Sequence, residues 1–245
     1  MINQYRITLV SFLAYFVMSG MLSPIGIIVG PMAEHFNLPI TEITAKFSWL
    51  TLGILVGAGL ALVVFDALKL KTIMLFVYAL IASCLFGLLL TESLLLVGIA
   101  IGLVGVGCGI GLAGAASIIS STYDADSRAS MLVITDGCFS VAGIVCSAVA
   151  VYLIGSGFHW SGSYGFIGLV AVVIVLLVGV STLPEYRADE EEVNLEEGRT
   201  DEQAGVWPLE VWLCIGGLFL YTLGQYSLLW WLPNYAETQL GIAPA

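Results

Sequence analysis

Seven stretches of the chain, at residues 7–32, 47–65, 72–90, 94–121, 129–154, 163–183 and 209–232, are almost unbroken in apolar residues, and polar connections separate them. Each approaches or exceeds the roughly 20 residues that cross the hydrocarbon of a bilayer at about 1.5 Å per residue. In lipid a helix satisfies every backbone group within its own segment, so the pattern predicts seven transmembrane helices. The first stretch is too long for the core of a signal peptide and lacks a small-residue cleavage site, so it is expected to be retained as a helix.

Segments 1–3 and 4–6 share a rhythm, a long first helix followed by two helices with a short connection. In transporters such a rhythm accompanies two triplets of opposite topology, with the substrate path between repeats. After segment 6 the pattern breaks. The stretch "PEYRADEEEVNLEEGRTDEQAG", residues 184–205, holds nine acidic residues against Arg187 and Arg199, and so contributes −7 of the net charge of −11. A like-charged stretch without apolar periodicity cannot bury a core, and is expected to be a flexible cytoplasmic linker or, on a weaker argument, a docking segment for a basic partner. The expected organisation is therefore a six-helix bundle at 1–184, an acidic linker at 185–206, and a seventh helix at 207–245 that begins an incomplete second bundle. On this reading the chain is a fragment, a truncated product, or one half of an assembly with a missing C-terminal half.

Composition agrees with the membrane reading, with 59% hydrophobic and 10% charged residues, outside the range of soluble domains. Arg6, Lys69, Lys71, Arg128, Arg187 and Arg199 fall at the N-terminus or in even-numbered connections, whereas the odd-numbered ones hold Lys46 alone. Because basic residues are retained on the cytoplasmic side, the N-terminus is expected inside. Trp49, Trp160, Trp207, Trp212, Trp230 and Trp231 lie at or near segment ends, as interfacial indoles do. Cys84, Cys108, Cys138, Cys146 and Cys214 all fall within spans without ligand spacing and read as small core residues. His35 and His159 sit at outer helix ends and read as solvated interfacial side chains. No metal or cofactor is expected.

Two features carry candidate function. Segment 4, "IGLVGVGCGIGLAGAAS", sets Gly105/Gly109 and Gly107/Gly111 as overlapping small-xxx-small pairs, which lets two helix faces be approached closely. The first reading is tight packing; a smooth face that slides during a conformational cycle is compatible with it. Segment 5 opens "SRASMLVITDGCFSVAG", which places Asp136 eight residues beyond Arg128, about 12 Å along the axis and near mid-membrane. Ser140, Gly143 and Ser147 follow at i+4, i+7 and i+11, making one narrow polar stripe on an apolar helix. Desolvation raises a carboxyl pKa, and intramembrane acids mark ion or solute pathways. Asp136 is therefore the candidate proton-coupling group, against the plainer alternative of a protonated side chain that only bonds a neighbouring helix.

In segment 7, "LFLYTLGQYSLLWWLPNYAE", Tyr221 and Gln225 are four apart and share a face, so with Ser140 and Ser147 they are candidate solute contacts. Helix tethering is an equally good reading for Gln225. A seven-helix receptor would need an extracellular N-terminus, which the basic residues oppose. A membrane enzyme would need a nucleophile with a base or a ligand cluster at one depth, and neither is evident.

"AEHFNLPITEITAKFSWLTLGILVG", "SRASMLVITDGCFSVAG" and "YTLGQYSLLWWLPNYAE" together resemble the major facilitator superfamily, and within it the fucose-permease-like sugar symporter group and its TsgA-like branch. The resemblance runs along the whole chain. It implies a twelve-helix, proton-coupled, alternating-access transporter in a bacterial cytoplasmic membrane, with a small polar solute such as a sugar as its partner; an efflux antiporter is the alternative. It also implies a cytoplasmic gate between segments 2 and 3, here Asp66, Lys69 and Lys71, with Arg128 at the entrance of segment 5. The chain departs from that motif, since Leu62 stands where a glycine is usual and Ala67 where the first basic residue is. Segments 1 and 4 lack the acid that often couples protons in this group, Gln225 stands where an acid is frequent, and segment 5 lacks the Gly-Pro pattern of drug antiporters.

Overall fold

The computed structural model describes residues 2–183 and 209–240. Eight helices account for nearly all of them: α1 (Ile2–Leu22), α2 (Ile25–Phe36), α3 (Ile40–Ala67), α4 (Leu70–Leu88), α5 (Leu94–Thr122), α6 (Ala125–Gly155), α7 (Gly162–Val180) and α8 (Leu209–Leu240). Among the described residues, six helices are long and apolar enough to cross a membrane: α1 and α3 to α7. The chain divides into two compact units, Met1–Tyr186 with Ala245, and Arg187–Pro244. The expected linker and Trp207 fall outside the described residues.

The first apolar stretch is two helices rather than one. Pro24 has no N–H to continue the ladder and disfavours helical backbone at the residue before it. The first helix therefore closes with the Ser23 N–H on the Ser19 carbonyl (2.8 Å), and Pro24 becomes the N-cap of α2. The α2 helix ends at Asn37, whose left-handed backbone (φ 52°) turns its N–H back onto the carbonyls of Ala33 and Glu34, a conformation asparagine tolerates. Helix α3 starts well before its apolar stretch, at Ile40, because the turns "ITEITAKF" bury Ile43 and Phe47 on one side.

The packing pattern gives the fold its symmetry. Taking α1 with α2 as the first span and α3 to α7 as the second to sixth, the main pairings are second with fourth, fifth with first, and third with sixth. If spans 1–3 are exchanged with spans 4–6, second-with-fourth becomes fifth-with-first, and third-with-sixth maps onto itself. Successive spans alternate in direction, so the exchanged triplets are inverted, which is a 3+3 inverted repeat.

Each pairing rests on residues that local chemistry selects. The third and sixth spans run antiparallel: Gly168 lies over Leu85 and Phe86, and Gly165 over Leu89. At the far end of the same pair, the Lys71 ammonium donates to the carbonyls of Gly179 (3.0 Å) and Ser181 (2.8 Å), the open C-terminus of α7. Beside it Asn3 exchanges two hydrogen bonds with the Thr182 backbone. Helix α1 is tied to α5 by Thr8 Oγ1 to the Tyr123 hydroxyl (2.8 Å) and by the Ser11 hydroxyl donating to the Ala115 carbonyl (3.1 Å). One bond joins two hydroxyls and the other a hydroxyl to a main-chain carbonyl, the kinds of polar contact that tie helices together in a bilayer.

Candidate functional site

The glycine-rich segment lies within α5, and its two small-residue faces meet different partners. A Cβ at Gly105 would overlap the Leu50 carbonyl oxygen of α3, and one at Gly109 the Ile54 carbonyl oxygen; conversely Gly53 and Gly57 of α3 leave room for the carbonyls of Gly102 and Val106. Backbone therefore meets backbone across α3 and α5, an interlocked contact with no room for side chains. On its other face, Gly107, Gly111 and Gly114 receive Ile81, Tyr78 and Met74 of α4. There the glycines act as sockets for large side chains.

The opposite situation holds between α1 and α6, the pair related to α3 and α5 by the internal repeat. These two spans run in the same direction and are joined through hydroxyls. Ser19 of α1 donates to the Phe139 carbonyl of α6 (2.6 Å) and lies 3.3 Å from the Ser23 hydroxyl. A Cβ at Gly143 would come within 2.8 Å of Ser23 Oγ and 3.3 Å of Ser19 Oγ, so the glycine makes space for both hydroxyls. One turn earlier along each helix stand Tyr15 and Asp136, and the carboxylate acts electrostatically on the phenol. Tyr15 and Ser19 of α1, with Ser23 just beyond its end, recur every four residues. They meet α6 at Asp136, Phe139 and Gly143, in matching order.

Asp136 and Ser140 are exposed at the edge of this lane, Gly143 and Ser147 are half-buried, and Ser19 is fully buried. Asp136 lies eleven residues from Ala125 at the start of α6 and nineteen from Gly155 at its end, about 16 and 28 Å along the axis. It therefore sits in the half of α6 nearer the Lys71 end of the bundle, and α6 begins before its apolar stretch does. A carboxylate here, flanked by hydroxyls and open on one side, can accept hydrogen bonds from a polar solute or exchange a proton with it.

The other sequence-selected residues fall into two groups. Asp66, Lys69, Lys71 and Arg128 lie at one end of the bundle, with Asn3 and Thr182. Asp66 is exposed in the last turn of α3, Lys69 is the N-cap of α4, and Arg128 is in the first turn of α6 with its backbone N–H on the Asp124 carbonyl (2.8 Å). Lys71 has the structural task described above, holding the end of α7. Tyr221 and Gln225 belong to the second unit, where they share a face of α8, Tyr221 exposed and Gln225 half-buried. Tyr15, Ser19 and Ser23 were missed from sequence; their spacing of four was the available signal, masked by an α1 whose serines and threonines point in several directions. No cluster of three or more metal-ligating side chains occurs among the described residues.

An inverted-repeat bundle of six helices long and apolar enough to cross a membrane, with an acid beside a polar seam, is a membrane-transporter architecture. The chain belongs to the Major Facilitator Superfamily, whose family model matches residues 8–245. It is 32% identical to the Protein TsgA homolog of Citrobacter koseri over 235 residues, and 30% identical to Protein TsgA of Shigella flexneri over 237 residues. In each case the match takes in 96% of this chain and 58% of the relative; the chain thus spans little more than half the length of these curated relatives. Among solved structures it is similar in fold to a bacterial homolog of the human lysosomal transporter Spinster, in an inward-facing and unoccupied conformation (TM-score 0.68, 17% identity, 99% of this chain and 57% of that one). It is also similar to the POT family transporter PepTSo (TM-score 0.63, 14% identity, 94% and 51%). Family and fold thus place the chain in a superfamily of transporters.

Proposed function

We propose that the chain supplies the N-terminal bundle of a secondary active transporter that moves a small polar solute, a sugar or related metabolite, by proton-coupled alternating access. The observation that carries this reading is the Asp136 carboxylate, exposed at the open edge of the Tyr15–Ser19–Ser23 and Ser140–Gly143–Ser147 lane in a bundle that otherwise presents hydrocarbon. A charge at that depth is costly unless a pathway uses it. In this scheme Asp136 carries the coupling proton, Ser140 and Ser147 contact solute from the first bundle, and Tyr221 and Gln225 do so from the second. Asp66, Lys69, Lys71 and Arg128 form the inner gate, in a bacterial cytoplasmic membrane with the N-terminus inside. A second bundle completes the path, since each half closes what the other opens.

The test is solute uptake into vesicles by a transporter of the relatives' full length that carries this chain as its first part, with and without an imposed proton gradient. Gradient-dependent accumulation in the parent, lost in Asp136→Asn while solute exchange persists, is the expected result. Full accumulation by the Asn variant would remove Asp136 from the coupling role. Cysteines introduced near Lys69 and Asp126 are expected to resist an impermeant thiol reagent in whole cells; labelling from outside would invert the topology.

A further inference from the structure

At the end of the bundle opposite Lys71, two exposed histidines, solvated as expected, meet each other. His35, in the last turn of α2, stands edge-to-face on His159, in the α6–α7 turn, with ring centroids 4.8 Å apart and planes at 86°. Phe36 and Trp160 complete the group: His35 lies 4.9 Å from Phe36 and 6.4 Å from Trp160, and His159 lies 5.1 Å from Trp160. Trp160 is not an interfacial anchor. It is buried, 3% exposed, and its indole N–H has no partner. The cluster joins the end of the first span to the turn between the fifth and sixth.

The two imidazoles sit in opposite fields. His35 is at the C-terminus of α2, where a cation is favoured, whereas His159 lies two residues before Ser161, the N-cap of α7, where a cation is disfavoured. His159 Nδ1 is 2.7 Å from the Ser161 hydroxyl, which explains why that hydroxyl makes no cap on its own helix. A proton on His35 would have the aromatic rings of Phe36 and Trp160 beside it. A second proton on His159 would place two cations within one ring contact.

We propose that His35 and His159 form a proton-operated latch, closed with zero or one proton and opened by the second, which separates the end of α2 from the α6–α7 turn. The groups that set its response are His35 itself, the exposed Glu34 beside it on α2, and Glu92 on the α4–α5 connection. Desolvation and His35 hold the His159 imidazole below its usual 6.5, with Glu92 working in the opposite direction. A group that binds its proton more weakly in the closed contact favours the open one once protonated. Opening is therefore absent well above pH 6.5 and grows as pH falls below it. The latch does not depend on Asp136 or on the identity of any solute.

The chain has two histidines in all, so ring-labelled histidine in the intact chain gives two NMR signals to titrate. The expected result is a His159 midpoint below its ordinary 6.5, which rises when His35→Gln removes the neighbour. Each unit of midpoint displacement corresponds to about a tenfold change in proton affinity. Hydrogen exchange reads the opening itself at the amides of Gly162 and Gly165, which bond the carbonyls of His159 and Ser161. Their rates should climb relative to those in His159→Phe, compared at equal pH, as pH falls through the His159 midpoint. A His159 that titrates at its ordinary value and ignores His35→Gln, or exchange that matches the Phe variant at every pH, would overturn the proposal.

Discussion

Two helix pairs that the internal repeat makes equivalent have been built in opposite ways. Between α3 and α5, glycines let backbones touch, and any Cβ at Gly53, Gly57, Gly105 or Gly109 would overlap a carbonyl oxygen. Between α1 and α6, hydroxyls fill the seam and an exposed carboxylate stands at its edge. In lipid, helices associate through close packing and hydrogen bonding rather than through the hydrophobic effect, and the two pairs divide those means between them. The first suits an element that moves as one rigid body. The second leaves polar groups that can change partners, which a pathway needs.

The largest expected effect breaks the rigid pair. Gly57→Ala and Gly109→Ala should each cost the upper end of the 1–3 kcal/mol typical of overpacking, because the obstructing atoms are main-chain and cannot rotate away. Gly59→Ala, on the same helix with nothing within 4 Å, should be neutral or slightly stabilising. Thermal unfolding in detergent checks all three, and equal midpoints would show that α3 and α5 separate easily. The polar pair should answer differently. Asp136→Asn should leave the unfolding midpoint within experimental scatter of the parent, since an exposed carboxylate holds little of the fold together, while removing proton-driven accumulation from the full-length transporter.

Lys71→Met sharpens the comparison from the third pairing. It removes two hydrogen bonds and a cation from the C-terminus of α7. On a half-buried side chain that is worth about 1 kcal/mol, read as faster amide exchange in the last turn of α7. Were Lys71 purely a gate, transport would change and exchange would not.

How much of this was legible in sequence depends on the kind of contact. The places of the first six spans followed from apolar length, though not their exact ends, and the inverted repeat from the rhythm of the connections, because both are local properties of the chain. Gly105/Gly109 and Gly107/Gly111 announced two close faces, but which neighbour each would meet depended on tertiary arrangement, and the pairs went to α3 backbone and α4 side chains respectively. Asp136 stood out as a lone charge in an apolar run. Its companions did not, since Tyr15, Ser19 and Ser23 are ordinary residues for a membrane helix until α6 is placed beside them. The break at Pro24 was readable from its missing N–H and was overlooked because Ser23–Pro24 interrupts the hydropathy so little. His35 and His159, 124 positions apart, offered no local signal at all.

The smallest effect lies within the seam that the two pairs contrast most directly. A methyl at Gly143 would sit 2.8 Å from Ser23 Oγ and 3.3 Å from Ser19 Oγ. Unlike the carbonyls that face Gly57 and Gly109, these atoms belong to side chains that can turn about χ1. Ser23 is half-buried and can swing away, but Ser19 is buried and held by the Phe139 carbonyl. Gly143→Ala should therefore cost a few tenths to about 1 kcal/mol, bounded by one neutral hydrogen bond. Ser19→Ala should cost about the same, because the Phe139 carbonyl keeps its place in the helical ladder. If the seam is joined by that hydroxyl, the two changes report on one interaction, and the double variant should cost less than the sum of the singles. Additive losses in unfolding would mean that Gly143 and Ser19 act separately, and that α1 and α6 are held mainly by the apolar packing around them.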